Sequence, residues 1–120
     1  MIIAVGLDII ELERIEKVWN LHRERFLERH YTPDEIAYCL KKGSPLASLA
    51  ARFAAKEAFQ KCWPESHGWR DVWVAMEGVK PRLQFSPLIQ EQLSAKGQAA
   101  HLSLTHSRDY AGAMVVLEAP

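Results

Sequence analysis

The stretch Ala47-Ser48-Leu49-Ala50-Ala51-Arg52-Phe53-Ala54-Ala55-Lys56-Glu57-Ala58-Phe59-Gln60-Lys61-Cys62 decides how the chain is built. Wound at about 100° per residue, it gathers Ala47, Ala50, Ala51, Ala54, Ala55, Ala58 and Cys62 on one arc. Side chains that small predict a helix whose backbone lies close against a support. Arg52, Lys56, Glu57 and Lys61 fall off the arc, with Glu57 and Lys61 one turn apart. The segment reads as a central helix with an alanine back and a charged front.

The flanks set its limits. Ser44-Pro45 supplies a cap and a first helical residue, and Pro64 cannot continue the helix. Upstream, Thr32-Pro33-Asp34-Glu35 is a capping box that starts another helix, which runs to about Lys42 and stops at Gly43. Leu12, Ile15, Val18 and Trp19 repeat at helical spacing up to an end or bend at Asn20, and a second short helix follows with Arg25 and Arg29 one turn apart. Ile2 to Leu7 is apolar and β-branched, a buried strand that Asp8 is expected to close.

Downstream, Glu65 to Gly68 reads as loop. Val72 to Met76 and Pro81 to Phe85 read as strands joined at Gly78, and Ser86-Pro87 caps a short helix, Leu88 to Leu93, ended by Gly97. Ala100 to Thr105 and Tyr110 to Leu117 form a second hairpin around His106-Ser107-Arg108-Asp109. Two hairpins among interspersed helices predict an α+β fold: one small domain, residues 1–120, with a mostly antiparallel sheet packed against the long central helix.

Fifteen basic and fifteen acidic side chains give zero net charge, so nothing global announces a nucleic-acid or membrane partner, and any attraction is local. Cys39 and Cys62 stand alone, without CxxC spacing, and read as packed, reduced thiols. The opening MIIAVGLD carries no basic leader, and its apolar run is too short for a signal or a membrane span. A cytoplasmic protein is expected.

Several side chains admit two readings. Asp8 either caps the next helix or projects a carboxylate from a rigid strand toward a ligand. By spacing alone, Glu57 and Lys61 form a surface pair worth about 0.3–0.5 kcal/mol. Carboxylates from two elements can also hold one magnesium ion, with a lysine beside it to neutralise phosphate. His106 at a hairpin corner is either solvated or, with Arg108, an anion contact. Arg14, Arg23, Arg25 and Arg29 are matched by Glu11, Glu13, Glu16, Glu24 and Glu28, a solvated helix face unless the arginines cluster as a dock for an acidic partner. Walker and GxGxxG phosphate loops are absent, as is GxSxG, and His67 has no second ligand at metal-binding spacing.

Three stretches together resemble one family. Val5-Gly6-Leu7-Asp8-Ile9-Ile10-Glu11, Arg52-Phe53-Ala54-Ala55-Lys56-Glu57-Ala58-Phe59-Gln60-Lys61 and Leu102-Ser103-Leu104-Thr105-His106 look like the holo-acyl-carrier-protein synthases, the small trimeric 4'-phosphopantetheinyl transferases. The resemblance implies magnesium-dependent transfer of 4'-phosphopantetheine from coenzyme A to a serine of apo acyl carrier protein, releasing adenosine 3',5'-bisphosphate. It implies Asp8 and Glu57 as metal ligands and Lys61 at the diphosphate or leaving phosphate. It implies His106 in the coenzyme site, and Arg52 and Lys56 toward the coenzyme or a neighbouring subunit. Arg14, Arg25 and Arg29 would face the acidic helix of the carrier, and the assembly would be a homotrimer with interfacial sites. A metal-bound water or Glu11 would serve as base. The family follows its middle motif with a glycine-rich turn, whereas Cys62 to Trp69 here holds one glycine. A non-catalytic oligomeric module that binds a carrier protein or a coenzyme A thioester is the alternative, and peptide or polyketide carriers are alternative acceptors.

Overall fold

The computed structural model describes residues 1–120. In chain order it holds β1 (Ile2–Glu11), α1 (Leu12–His22), α2 (Glu24–His30), α3 (Pro33–Leu40), α4 (Pro45–Cys62), β2 (Val72–Glu77), β3 (Lys80–Phe85), α5 (Pro87–Lys96), β4 (Ala99–His106) and β5 (Tyr110–Glu118), with a single 3-10 turn at Trp69–Asp71. The α+β expectation holds. Antiparallel pairing is complete but divided between a three-stranded sheet, β1-β5-β4, and the hairpin β2-β3. Pro81 in β3 suits an edge strand, because it has no N–H to give a further partner.

α4 lies across β1 and β5, and its alanine arc is buried throughout. The closest approach is at Gly6. A Cβ built there would stand 1.9 Å from the Ala58 carbonyl oxygen and 2.7 Å from Cys62 Sγ. Only glycine lets helix and strand meet so closely. The inner face of the sheet carries Ala4, Gly6, Asp8 and Ile10 of β1 opposite Leu117, Val115, Ala113 and Ala111 of β5, which together with α4 make the core.

The structure differs from the sequence reading at the end of β1, at the end of α1 and in the cap of α4. β1 does not end at Asp8, because its ladder with β5 continues to Glu11 opposite Tyr110. Asp8 therefore sits in mid-strand, and the residue before α1 is Glu11, which makes no side-chain cap. The helix-cap reading of Asp8 is thereby overturned. α1 passes Asn20 and breaks at Arg23, whose φ of 49° is rare for a residue with a Cβ. Ser44 precedes α4 without a capping hydrogen bond. The Thr32–Glu35 capping box forms as the sequence predicts.

The charged front of α4 is not uniformly exposed. Arg52 and Lys56 are buried, since α3, β2 and the 3-10 turn cover the side of the helix that the alanines leave free. Cys39 and Cys62 are free and buried, and burial pushes the Cys39 thiol up to about 11.

Candidate active site

Gly6 sets the site's geometry. With α4 seated on it, Asp8 lies two residues along the same strand face, and Glu57 and Lys61 stand one turn apart on the same flank of the helix beside Ala58. Lys61 Nζ donates to Asp8 Oδ1 at 3.1 Å and to the Leu7 carbonyl oxygen at 2.7 Å. Two of its three N–H groups are thus engaged, and the third remains on a side chain that is half exposed.

Glu57 is partly buried and takes part in no ion pair or side-chain hydrogen bond. Burial pushes its carboxyl above the usual range and the Asp8 charge pushes it the same way, while Lys61 and Arg14 pull it back. Two carboxylates that repel each other, one of them without a donor, form a hard oxygen set suited to magnesium, which takes one or two carboxylates and keeps its remaining positions for water and phosphate oxygens.

A second feature lies along the N-terminal half of α4, a cleft of about 910 Å³ lined by Lys42, Arg52, Lys80, Arg82 and His106 among others. Arg52 is 4% exposed, its guanidinium lies 4.5 Å over the Tyr38 ring, and it donates to the Ser48 carbonyl oxygen at 3.2 Å. Its Nε has no partner. His106 ends β4 in register with Ala111, two strands from β1 and so about 10 Å across the sheet. Arg52 precedes Glu57 on α4 by about 7.5 Å. The cleft is a cationic recess beside the carboxylate pair and not part of it.

Lys56 is brought to neither place. All three of its N–H groups are used inside the protein, on Glu35 Oε1 at 2.7 Å, the Val72 carbonyl at 2.8 Å and the Trp69 carbonyl at 3.0 Å. Glu35 is equally saturated, accepting also from Thr32 N and Val74 N. Burial lowers the Lys56 ammonium below the usual lysine range and Glu35 draws it back. Lys56, expected toward the coenzyme or a neighbouring subunit, has a structural role within this chain: it ties α4 to α3 and to the segment entering β2.

The basic residues of the first helices divide. Arg14 lies close enough to Glu57 to influence its ionisation, whereas Arg25 and Arg29 line a separate cleft with Arg70. Arg70 carried no sequence signal, standing alone after a loop. The glycine-poor stretch after Lys61 is held by aromatic packing: Trp63 stacks on Phe59 with ring centroids 5.5 Å apart, and His67 meets the Phe59 edge at 5.5 Å. Lys96 of α5 sits 4.5 Å over Trp63 and pairs with Glu65 at 2.9 Å. Trp69 packs on Phe53 and His30.

Asp8 held by Lys61, with the unpaired Glu57 carboxylate on the same helix as that lysine, is a charged group that fits binding of a cation and an anion side by side. The profile of the 4'-phosphopantetheinyl transferase superfamily matches residues 4–115, and the chain belongs to that superfamily, within its holo-acyl-carrier-protein synthase family. A Thermus thermophilus relative named holo-[acyl-carrier-protein] synthase is 53% identical over 99% of this chain and 95% of its own length. The crystal structure of the Neisseria meningitidis holo-[acyl-carrier-protein] synthase superposes with a TM-score of 0.90 at 31% identity, covering 98% of this chain and 99% of that one. The Bacillus anthracis enzyme, solved in complex with CoA (3',5'-ADP), superposes at 0.81 with 36% identity over 100% and 99% of the two chains.

Proposed function

We propose that this protein, acting as one domain over residues 1–120, transfers 4'-phosphopantetheine from coenzyme A to a serine of apo acyl carrier protein and releases adenosine 3',5'-bisphosphate. The observation that carries the reading is the Lys61–Asp8 contact beside the Gly6–Ala58 approach, with Glu57 one turn from Lys61 on the same helix. Asp8 and Glu57 would hold magnesium, which when bound supplies Lewis-acid polarisation of the coenzyme diphosphate. The serine oxygen attacks the phosphorus that bears pantetheine, and the bond to the nucleotide phosphate breaks.

The free N–H of Lys61 is available to the charge that gathers on the leaving phosphate, in a site where fixed donors need no reorganisation. Glu11, at the end of β1, faces water and is a candidate to take the serine proton. Arg52 and His106, in their cationic cleft, suit the coenzyme's remaining phosphates. Arg14, Arg25 and Arg29 are assigned to the acidic surface of the carrier.

Assembly as a homotrimer with interfacial sites is part of the reading. Ile3, Val5, Leu7 and Ile9 leave one face of β1 uncovered, and Met114 adjoins Leu7 on the next strand. An apolar stripe of that length on a small protein supports burial against another copy. No helix is long and apolar enough to cross a membrane, and a cytoplasmic setting supplies both coenzyme and carrier.

The test is to incubate the protein with coenzyme A and apo carrier protein, with magnesium or with a chelator, and to weigh the carrier. A phosphopantetheine mass gain that needs the metal supports the reading. Carrier or coenzyme binding without any mass gain returns the protein to the non-catalytic alternative.

A further inference from the structure

We propose that Arg70 is the second wall of the carrier dock whose first wall is Arg25 and Arg29, so that an acidic helix is gripped from two separate elements. This rests on the transferase reading above. A cleft of about 760 Å³ opens between α2 and the 3-10 turn, lined by His22, Arg25, Arg29, His30 and Arg70, with Glu28 as its one acidic residue. None of the three guanidiniums has a carboxylate partner anywhere in the structure. Like charges around one recess repel unless an anion enters it. Their field is felt nearby, Arg29 disfavouring the charged form of His30 and Arg70 that of Lys56.

Arg70 stands on a turn pinned from every side. The carbonyl of Trp69 accepts from Lys56 at 3.0 Å, and its ring packs 4.9 Å from both Phe53 and His30. The carbonyl of Asp71 accepts from Ser86 N at 2.8 Å, and its carboxylate accepts from Gly68 N at 2.7 Å. The fixed backbone has no freedom left to lose on binding, so only the Arg70 side chain has to be ordered. Lys56 thereby helps to hold the turn that carries Arg70.

The arrangement favours a helix over a single phosphate. Arg25 and Arg29 are four residues apart on α2, a rise of about 6 Å, which matches carboxylates one turn apart on a partner helix. Arg70 comes from a separate element, the 3-10 turn, and is placed to meet a second row of the same helix. The coenzyme's phosphates already have Lys61, Arg52 and His106, none of which lines this cleft.

Steady-state transfer with carrier and coenzyme A varied separately tests the assignment. Arg70→Ala is expected to raise KM for the apo carrier about fivefold at low salt while KM for coenzyme A moves less than twofold, and the effect shrinks as salt is added. Arg70→Lys recovers part of the loss. Arg70→Glu is worse, and a carrier with one acidic-helix carboxylate changed to lysine rescues it, which a merely structural role for Arg70 would not produce. A rise in KM for coenzyme A instead, or no change in KM for the carrier in folded Arg70→Ala and Arg70→Glu, overturns the proposal. Should the wild-type protein transfer nothing, the transferase reading fails by itself, and calorimetric binding of apo carrier to wild type and Arg70→Glu decides the dock: weaker binding to the variant supports it, equal binding overturns it.

Discussion

Gly6→Ala concentrates the whole account in one methyl group. The Ala58 carbonyl oxygen lies 1.9 Å from where the new Cβ would stand, against the 3.4 Å at which ordinary contact begins, so α4 and β1 must part by about 1.5 Å. The obstruction is backbone, joined by Cys62 Sγ at 2.7 Å, so no flexible side chain can absorb it. Overpacking a close-packed core costs about 1–3 kcal/mol, and a clash with backbone belongs at the upper end. For a domain of this size about 3 kcal/mol lowers Tm by roughly 10 °C. The same displacement moves Glu57 and Lys61 away from Asp8, and a misplacement of about 1 Å can cost about 100-fold in rate. Thermal denaturation by circular dichroism and carrier modification, measured well below the variant's Tm, read the two effects separately. A variant with wild-type Tm and wild-type rate would refute the claim that the Gly6–Ala58 contact sets the site.

Glu35→Gln leaves the Lys56 ammonium buried without its counter-charge, and urea denaturation should show a loss of about 3–5 kcal/mol; a loss under 1 kcal/mol would remove the pair from its place as a structural hub. Burial holds His30 below its ordinary pKa of 6.5, so the unfolded chain binds the proton more readily than the folded one. Its contribution to stability is present above 6.5 and lost as pH falls below it, and the stability of His30→Leu should fall less steeply than that of wild type over that window; parallel pH profiles would contradict this. Leu7→Glu places a charge in the middle of the uncovered face of β1, and light scattering should show the oligomer of the wild type giving way to monomer. A wild type already monomeric at working concentration would count against the trimer.

Much of the fold was legible in the sequence because its signals are local. The capping box at Thr32, the proline at 45 and the small-residue period from Ala47 to Cys62 each state their structure within one or two turns, and each appears where expected. The length of β1 was not legible, because what carries it past Asp8 is a ladder with a strand about a hundred residues later. The same distance hid the contacts of Lys56. Its position off the alanine arc reads as exposed, and only the arrival of Glu35, Trp69 and Val72 makes it internal. Asp8, Glu57 and Lys61 stand out in the sequence as residue types, but their placement depends on Gly6, whose missing side chain says nothing about its partner until helix and strand are packed. Arg70 had no sequence signal, since a lone arginine after a loop gains meaning only from the cleft it closes.

The claim that Asp8 and Glu57 form one metal-binding pair for phosphopantetheine transfer is tested most directly by mass spectrometry of apo carrier protein after incubation with coenzyme A, magnesium and either wild type, Asp8→Asn or Glu57→Gln. A phosphopantetheine mass gain is expected with wild type and none with either folded variant in the same time. Wild-type modification rates in both variants would contradict it.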